Sequence, residues 1–218
     1  MKLSLAISLF TVGVLGWTPP GFSPSTNNTL DVKYGDVKAS EGALVSIEAA
    51  TESPATSFKP NSSHGSHIVL LVDLDAPNGT HDNPYAPFLH WAKFIPPGSS
   101  KLSSNSSDMK DYAPYAGPAP PPGTGPHRYV ALLFASDNST FEIPPSFKDL
   151  DMSNLTDRIA FNIPKFIAEG KLKLAGGDWF TSENKTGTSV VTNAGASISG
   201  ASGLLALSVY LLFAIALW

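Results

Sequence analysis

Apolar runs alternate with proline- and glycine-rich stretches along this chain. Three runs, at 68–72, 88–95 and 128–134, are apolar or aromatic at most positions and are bounded by turn-forming residues, which predicts strands. The first is expected to be a central strand and the third to be buried on both faces. The segment 44–49 instead alternates between apolar and polar residues, which is typical of a half-buried strand. A last run, 172–180, contains two adjacent glycines and predicts an interrupted strand.

One short helix is predicted near the end of the folded region. Asn162 is a good N-cap residue, Pro164 suits the first turn, and Gly170 is placed to end the helix. Phe166 and Ile167 give the helix an apolar side. Strands and helix together predict a mainly β fold: an antiparallel β-sandwich with short peripheral helices, or a β-rich α+β arrangement.

Both ends of the chain have the pattern of processing signals. Residues 1–16 contain Lys2, an apolar run and then small residues, which predicts a secretory signal peptide. A membrane anchor or a buried strand is the alternative, but the run is shorter than the ~20 residues that span a bilayer. Residues 196–218 combine a small, polar spacer with an apolar tail, which predicts a removed GPI-attachment signal following Asn193. The alternative there is an ordinary transmembrane helix.

Between these signals the chain has two further parts, and the signals predict its location. Residues 17–182 are expected to form the folded domain, with a core at about 30–180, and 183–195 to form a Ser/Thr/Gly stalk. We expect a protein of the secretory pathway that is held at the extracellular face of the plasma membrane by a lipid anchor. Seven Asn-x-Ser/Thr sequons agree with export and mark expected glycosylation sites: Asn27, Asn61, Asn78, Asn105, Asn138, Asn154 and Asn184.

Composition narrows the possible functions. The 218 residues suggest one domain, and the formal net charge of −4 gives no indication of nucleic-acid binding. The chain has no cysteine, which excludes disulfides, thiolate metal sites and thiol nucleophiles.

The candidate binding chemistry lies where apolar runs meet rigid loops. Asp73 and Asp75 follow one predicted strand, His90 lies in the next, and His127 stands between the Pro/Gly stretch 117–126 and the third. Residues two apart on an extended chain point to the same side, so the two carboxylates are expected to share one cavity. Imidazolium groups and the backbone N–H groups at 123–125 would bind a phosphate, while the carboxylates would accept from an ammonium.

Two motifs carry a family resemblance. The stretch from Gly117 to Tyr129 resembles the second signature of the phosphatidylethanolamine-binding protein (PEBP) family, and Asp73-Leu-Asp-Ala-Pro77 followed by His90 resembles the first. The resemblance implies a large antiparallel sheet packed on a smaller one and a pocket for phosphoryl head groups. Leu74 departs from the family pattern, which has proline between the aspartates. The implied ligand set, with Phe88 as an aromatic wall and Pro120 as a rigid one, is Asp73, Asp75, Pro77, Phe88, His90, Gly117, Pro120, Pro121, His127 and Tyr129.

Other functions stay open at this point. The resemblance also implies inhibition of a carboxypeptidase-type protease by protein–protein contact. A hydrolase that uses a metal or the His and Asp side chains is a further alternative, although no Gly-x-Ser-x-Gly elbow is present and we expect no catalytic residue, metal or cofactor. Asp73 and Asp75 could instead stabilise turns, and His127 could be a core histidine bonded to a carboxylate. Arg128 is interpreted as an ion-pair partner of one of these aspartates, and His64, His67 and His81 as surface residues.

Overall fold

The computed structural model describes residues 17–59, 65–79, 83–102 and 111–186. The predicted signal peptide, most of the predicted stalk, the C-terminal signal, Asn61, Asn105 and Asn193 lie outside these ranges. Within them, ten strands form two sheets. The strands are β1 Asp31–Tyr34, β2 Val37–Lys38, β3 Ala43–Leu44, β4 Ala55–Ser57, β5 Ser66–Asp73, β6 Phe88–Ile95, β7 Lys101–Leu102, β8 Asp111–Ala113, β9 His127–Ser136 and β10 Lys173–Ser182.

The larger sheet has the order β3-β10-β9-β5-β6-β8 and is antiparallel except for the β3–β10 pair. Its centre consists of β5, β6 and β9, which correspond to the three predicted apolar runs. All eight residues of β5 are buried, because one face packs on the smaller sheet and the other on helices. The predicted break in β10 is a shift of register between Leu174 and Gly176.

The smaller sheet, of order β2-β1-β4-β7, covers one face of the larger one. Val32 and Tyr34 from β1 pack there with Leu71, Trp91 and Phe180 of the larger sheet. Its strands have only two to four residues, so its stability depends on this contact rather than on its own pairing.

Short helices cover the opposite face. Two 3₁₀ helices, Pro145–Phe147 and Leu155–Arg158, precede the helix α1, Ile163–Gly170. The Asn162 side chain accepts a hydrogen bond from the Lys165 N–H, and Phe166 is completely buried, as the cap and apolar positions predicted. The predicted mainly β sandwich with short peripheral helices is thus confirmed.

Two local predictions were wrong. The strand expected at 44–49 ends at Leu44, and the chain then turns, with the Ala50 N–H donating to the carbonyls of Ser46 and Ile47. His67 is buried in β5 rather than exposed, because its ring packs on Phe58 with centroids 4.7 Å apart. Across the described part of the chain, no helix has the length and apolar character needed to cross a membrane.

Candidate functional site

A cavity of about 120 Å³ opens where β5 ends and where β6 and β9 begin. Strand register brings these points together, because Asp73 pairs with Phe88 on one side and with Tyr129 on the other. The volume is several times the ~10–15 Å³ needed for one water molecule, so a small ligand group fits. The lining residues are Asp73, Ala76, Pro77, Phe88, His90, Ala116, Gly117, Ala119, Pro121, His127 and Leu155.

Asp73 and His127 form the most deeply buried polar pair at the cavity. The Asp73 Oδ2 accepts from His127 Nδ1 at 2.9 Å, and its Oδ1 accepts from the Asp75 N–H at 2.8 Å. His127 has no exposed surface, and its Nε2 lies 2.9 Å from Thr124 Oγ1. The carboxylate therefore fixes the ring orientation of His127.

His90 has one ring nitrogen committed to the protein and one that faces Asp73. Its Nδ1 lies 2.7 Å from the Ala116 carbonyl oxygen, which can only accept, so Nδ1 carries a hydrogen. The Nε2 lies 3.9 Å from Asp73 Oδ2, too far for a direct hydrogen bond. Burial lowers the pKa of His90, and the neighbouring Asp73 carboxylate opposes that effect. When the ring is neutral, Nε2 is a hydrogen-bond acceptor beside a carboxylate.

Asp75 differs from Asp73 in what it contacts. Its Oδ2 accepts from the Arg128 N–H and Nε–H, each at 2.8 Å, and its Oδ1 accepts from Nη2 at 2.8 Å. The predicted ion pair of Arg128 with an aspartate of this motif is confirmed. The expectation that both carboxylates share the cavity was wrong, because β5 ends at Asp73 and strand alternation does not extend to Asp75.

Tyr129 lies beneath the cavity rather than in its wall. Its hydroxyl is fully buried beside Asp73 and, among the described residues, makes no hydrogen bond of normal geometry. Burial raises the pKa of Tyr129, and the Asp73 carboxylate adds to this. The phenol therefore stays protonated and can stabilise the negative charge of Asp73 by its dipole.

The glycine-rich turn at residues 123–125 contributes to the site in a different way from the one predicted. None of residues 123–125 lines the cavity, and the Thr124 N–H points back to the Pro121 carbonyl at 3.3 Å. The expected backbone donors at this turn are thus not presented to a cavity ligand. Instead, the turn orients His127 through the Thr124 hydroxyl.

Arg158, which the sequence did not single out, supports the rear of the cavity. It is almost completely buried; its Nε donates to the Met152 carbonyl, and its Nη1 donates to the Pro114 carbonyl, each at 2.7 Å. Burial lowers the pKa of Arg158, and the Asp151 carboxylate opposes this effect. Arg158 therefore places a buried positive charge near His90. No sequence signal distinguishes it from a surface arginine.

Seven of the ten predicted ligand residues thus line the cavity, and Asp75, Pro120 and Tyr129 do not. Sequence reasoning missed the small apolar wall residues, because alanine and leucine carry no recognisable chemistry. Across the described ranges, no group of three or more His, Asp or Glu side chains could hold a metal ion.

Comparisons with known proteins identify the family of this chain. A family model described as phosphatidylethanolamine-binding protein matches residues 23–169. The chain belongs to this family. A relative within it, phomoidride biosynthesis cluster protein N of Talaromyces stipitatus, is 32% identical over 180 residues, covering 75% of this chain and 88% of the relative.

Other PEBP relatives have been described as a protease inhibitor or solved as structures. Carboxypeptidase Y inhibitor of Saccharomyces cerevisiae is 28% identical over 137 residues, covering 54% of this chain and 59% of the inhibitor. A solved structure of carboxypeptidase Y inhibitor complexed with the cognate proteinase matches this chain with a TM-score of 0.59 and 24% identity, covering 74% of this chain and 85% of the matched one. The structure of phosphatidylethanolamine-binding protein from Plasmodium vivax matches with a TM-score of 0.58 and 18% identity, covering 76% of this chain and 92% of the matched one. These two structures share the fold.

Proposed function

We propose that this protein binds phosphate esters, such as the head group of phosphatidylethanolamine, in the cavity formed by Asp73, His90 and His127. It does so as an exported, glycosylated protein at the cell surface, held there by a GPI anchor. The support for export comes from the sequence patterns at the two ends and from the seven sequons.

The observation that carries the ligand proposal is the arrangement of His90 against Asp73. Protein atoms fix the hydrogen on Nδ1, so Nε2 can donate to a phosphate oxygen only after the ring gains a proton. An arriving anion supplies a charge that stabilises this imidazolium, in addition to the Asp73 carboxylate 3.9 Å away. Asp73 in turn can accept from an ammonium group, so the site suits a zwitterion.

The remaining cavity wall suits a small head group. Proline, alanine and phenylalanine side chains form most of it, and such walls exclude water and strengthen the few polar contacts. Arg158 adds positive charge behind the site without entering it, which favours an anion. We propose no catalytic role, metal or cofactor.

Calorimetric titration with glycerophosphorylethanolamine tests this proposal. Its phosphodiester keeps a single negative charge, so the ligand itself does not titrate near neutral pH. We expect saturable binding by the wild type and loss of binding in His127→Ala. His67→Ala is the matched control, since it removes a buried histidine of the same sheet without touching the cavity. Equal binding by the wild type and His127→Ala would contradict the proposal.

Protease inhibition by surface contact is the second candidate. It is favoured by the likeness to carboxypeptidase Y inhibitor, which forms a complex with its cognate proteinase. The same His127→Ala variant separates the candidates. Inhibition through a surface loop predicts that the wild type and the variant inhibit a carboxypeptidase equally. Head-group binding alone predicts that neither inhibits the carboxypeptidase and that the variant loses binding in the titration.

A further inference from the structure

One glycosylation sequon lies directly at the cavity. Asn154 starts the sequon Asn-Leu-Thr, and the next residue, Leu155, is one of the cavity wall residues. Adjacent Cα atoms are about 3.8 Å apart, so the asparagine is anchored next to the wall. Leu155 is half-buried, whereas Asn154 and Thr156 are exposed. The sequon therefore runs along the rim, with its apolar middle residue turned inward and its acceptor turned to solvent.

The Asn154 side chain is already held in a defined orientation. Its Oδ1 accepts from the Thr156 N–H at 3.1 Å and from the Thr156 hydroxyl at 2.9 Å. Its Nδ2, the atom to which an N-glycan is attached, donates no hydrogen bond within the described ranges. Attachment of a sugar thus breaks none of the contacts that cap the 3₁₀ helix Leu155–Arg158.

The same short helix connects the rim to the buried support of the cavity. It ends at Arg158, whose guanidinium binds the carbonyls of Met152 and Pro114. This anchoring keeps Asn154 close to the cavity rather than on a freely moving loop. A second sequon asparagine, Asn78, is also exposed and directly follows the wall residue Pro77.

We infer that an N-glycan on Asn154 covers the approach to the cavity and selects soluble phosphate esters over lipids embedded in a bilayer. This inference rests on the proposed function of the cavity. An N-glycan is bulky and hydrated, so a small ligand can diffuse past it, whereas a membrane surface must press against it. The ligand class is therefore a free head-group ester or a lipid monomer already released from a membrane.

The experiment uses full-length protein produced through the secretory pathway of a eukaryotic host. Peptide mass spectrometry first measures glycan occupancy at Asn154. Two readouts follow: titration with glycerophosphorylethanolamine in solution, and flotation with vesicles containing phosphatidylethanolamine. The informative variant is Thr156→Ala, which removes the sequon but keeps the backbone N–H that bonds Asn154. Thr156→Ser keeps both the sequon and the hydroxyl and serves as its matched control.

A second control removes a glycan at the other end of the sheet. Thr140→Ala removes the sequon of Asn138, which lies two residues after Ser136, the last residue of β9. His127, at the cavity, is the first residue of the same strand. Ten strand residues separate these points by about 30 Å. A general effect of glycan loss on vesicle binding would appear in this variant too.

We expect Thr156→Ala to bind vesicles at least about tenfold more tightly than the wild type, with solution affinity changed less than about twofold. Thr156→Ser and Thr140→Ala should match the wild type. An unmodified Asn154, or equal vesicle binding by Thr156→Ala and the wild type, overturns the inference. If neither the wild type nor Thr156→Ala binds glycerophosphorylethanolamine in solution, the proposed function has failed instead.

Discussion

The polar groups at the two ends of the central strands β5, β6 and β9 have different surroundings. At the far end, the Ser66 N–H and hydroxyl both donate to the Asn138 carbonyl, at 3.0 and 2.8 Å, and the strands are closed by their own loops. At the cavity end, Asp73, His90 and His127 meet around space that no protein atom fills. The same strands therefore end on one side at loops whose polar groups are hydrogen-bonded, and on the other side at a cavity large enough for a ligand group.

This difference distinguishes the strands, which form the scaffold, from the residues that form the site. Between the two ends the strands are apolar and buried on both faces, and they would hold either end equally well. The polar residues of the site lie at one end only, at the last residue of β5 (Asp73) and near the starts of β6 (His90) and β9 (His127). The adjoining Pro/Gly stretch and the short helix Leu155–Arg158 complete the cavity wall. Changes at matched positions of the two ends should therefore have unequal effects.

The largest difference is expected between two ion pairs. At the cavity end, Asp75 and Arg128 have side chains only 4% and 19% exposed; at the far end, Asp137 and Lys173 are 80% and 70% exposed. We expect Asp75→Ala to lower the free energy of unfolding by about 3 kcal/mol, because it leaves a partly buried guanidinium unpaired. Asp137→Ala should change it by less than about 0.5 kcal/mol. Urea denaturation measures both, and equal losses would contradict the comparison.

The next difference concerns two glycines in loops at opposite ends. Gly79 and Gly98 both have positive φ, of 76° and 80°. A methyl group at Gly79 would collide with the Thr124 carbonyl oxygen, whereas one at Gly98 would meet open space. Gly98→Ala should cost the ~1–2 kcal/mol of left-handed backbone strain alone.

Gly79→Ala should cost about 2 kcal/mol more than Gly98→Ala, because the two loops beside the cavity must also separate. Thermal or urea unfolding of both variants gives the comparison. Similar stabilities would mean that the close approach of Gly79 to Thr124 is not needed for the fold.

A third difference should appear in ligand affinity rather than stability. Asp73→Asn keeps the shape of the side chain but removes the carboxylate charge that orients the His127 ring and would accept from the ammonium group of the ligand. A loss of about 2 kcal/mol, typical of a hydrogen bond to a charged group, corresponds to affinity for glycerophosphorylethanolamine about 30-fold weaker. Ser66→Ala, at the far end, should leave affinity unchanged. Calorimetry decides between this outcome and an Asp73→Asn variant that binds normally.

The smallest expected effect is a pH dependence that distinguishes two buried histidines. Burial lowers the pKa of both His90 at the cavity end and His67 at the far end. The unfolded chain then binds more protons than the folded one, so stability is lost as the pH falls below the ordinary histidine value of about 6.5. His90 and His67 both contribute to this loss.

Only His90 should link protonation to the ligand. Because the free protein keeps His90 neutral and the complex protonates it, affinity should increase as the pH falls from 7.5 towards 6. Replacing His67 by phenylalanine should reduce the acid destabilisation but preserve the affinity profile. A flat affinity profile in the wild type would contradict the role given to His90.

The sequence predicted the scaffold well, for a physical reason. Strands buried on both faces, such as β5, β6 and β9, need apolar residues at nearly every position, so their pattern is unmistakable. The smaller sheet was implied only by the family resemblance, and its strands were not predicted individually, because strands of two to four residues carry no period that can be recognised. The alternation at 44–49 was misleading, since the strand ends at Leu44 and the chain turns at residues 47–50.

The sequence predicted those residues of the candidate site whose side-chain type determines their chemistry. His90, His127 and Asp73 were found from their motifs, and they do meet. Asp75 could not be separated from Asp73 by sequence, because the position of the strand end decides which carboxylate meets Arg128. Arg158 was missed because its burial depends on the carbonyl of nearby Met152 together with that of Pro114, which is distant in the sequence.

A crystal structure of the protein soaked with glycerophosphorylethanolamine tests head-group binding in the cavity most directly. We expect phosphate density in the cavity, with an oxygen about 2.7–2.9 Å from His90 Nε2, the distance of a charge-assisted hydrogen bond. Head-group density at another surface, or an empty cavity in crystals exposed to saturating ligand, would contradict it.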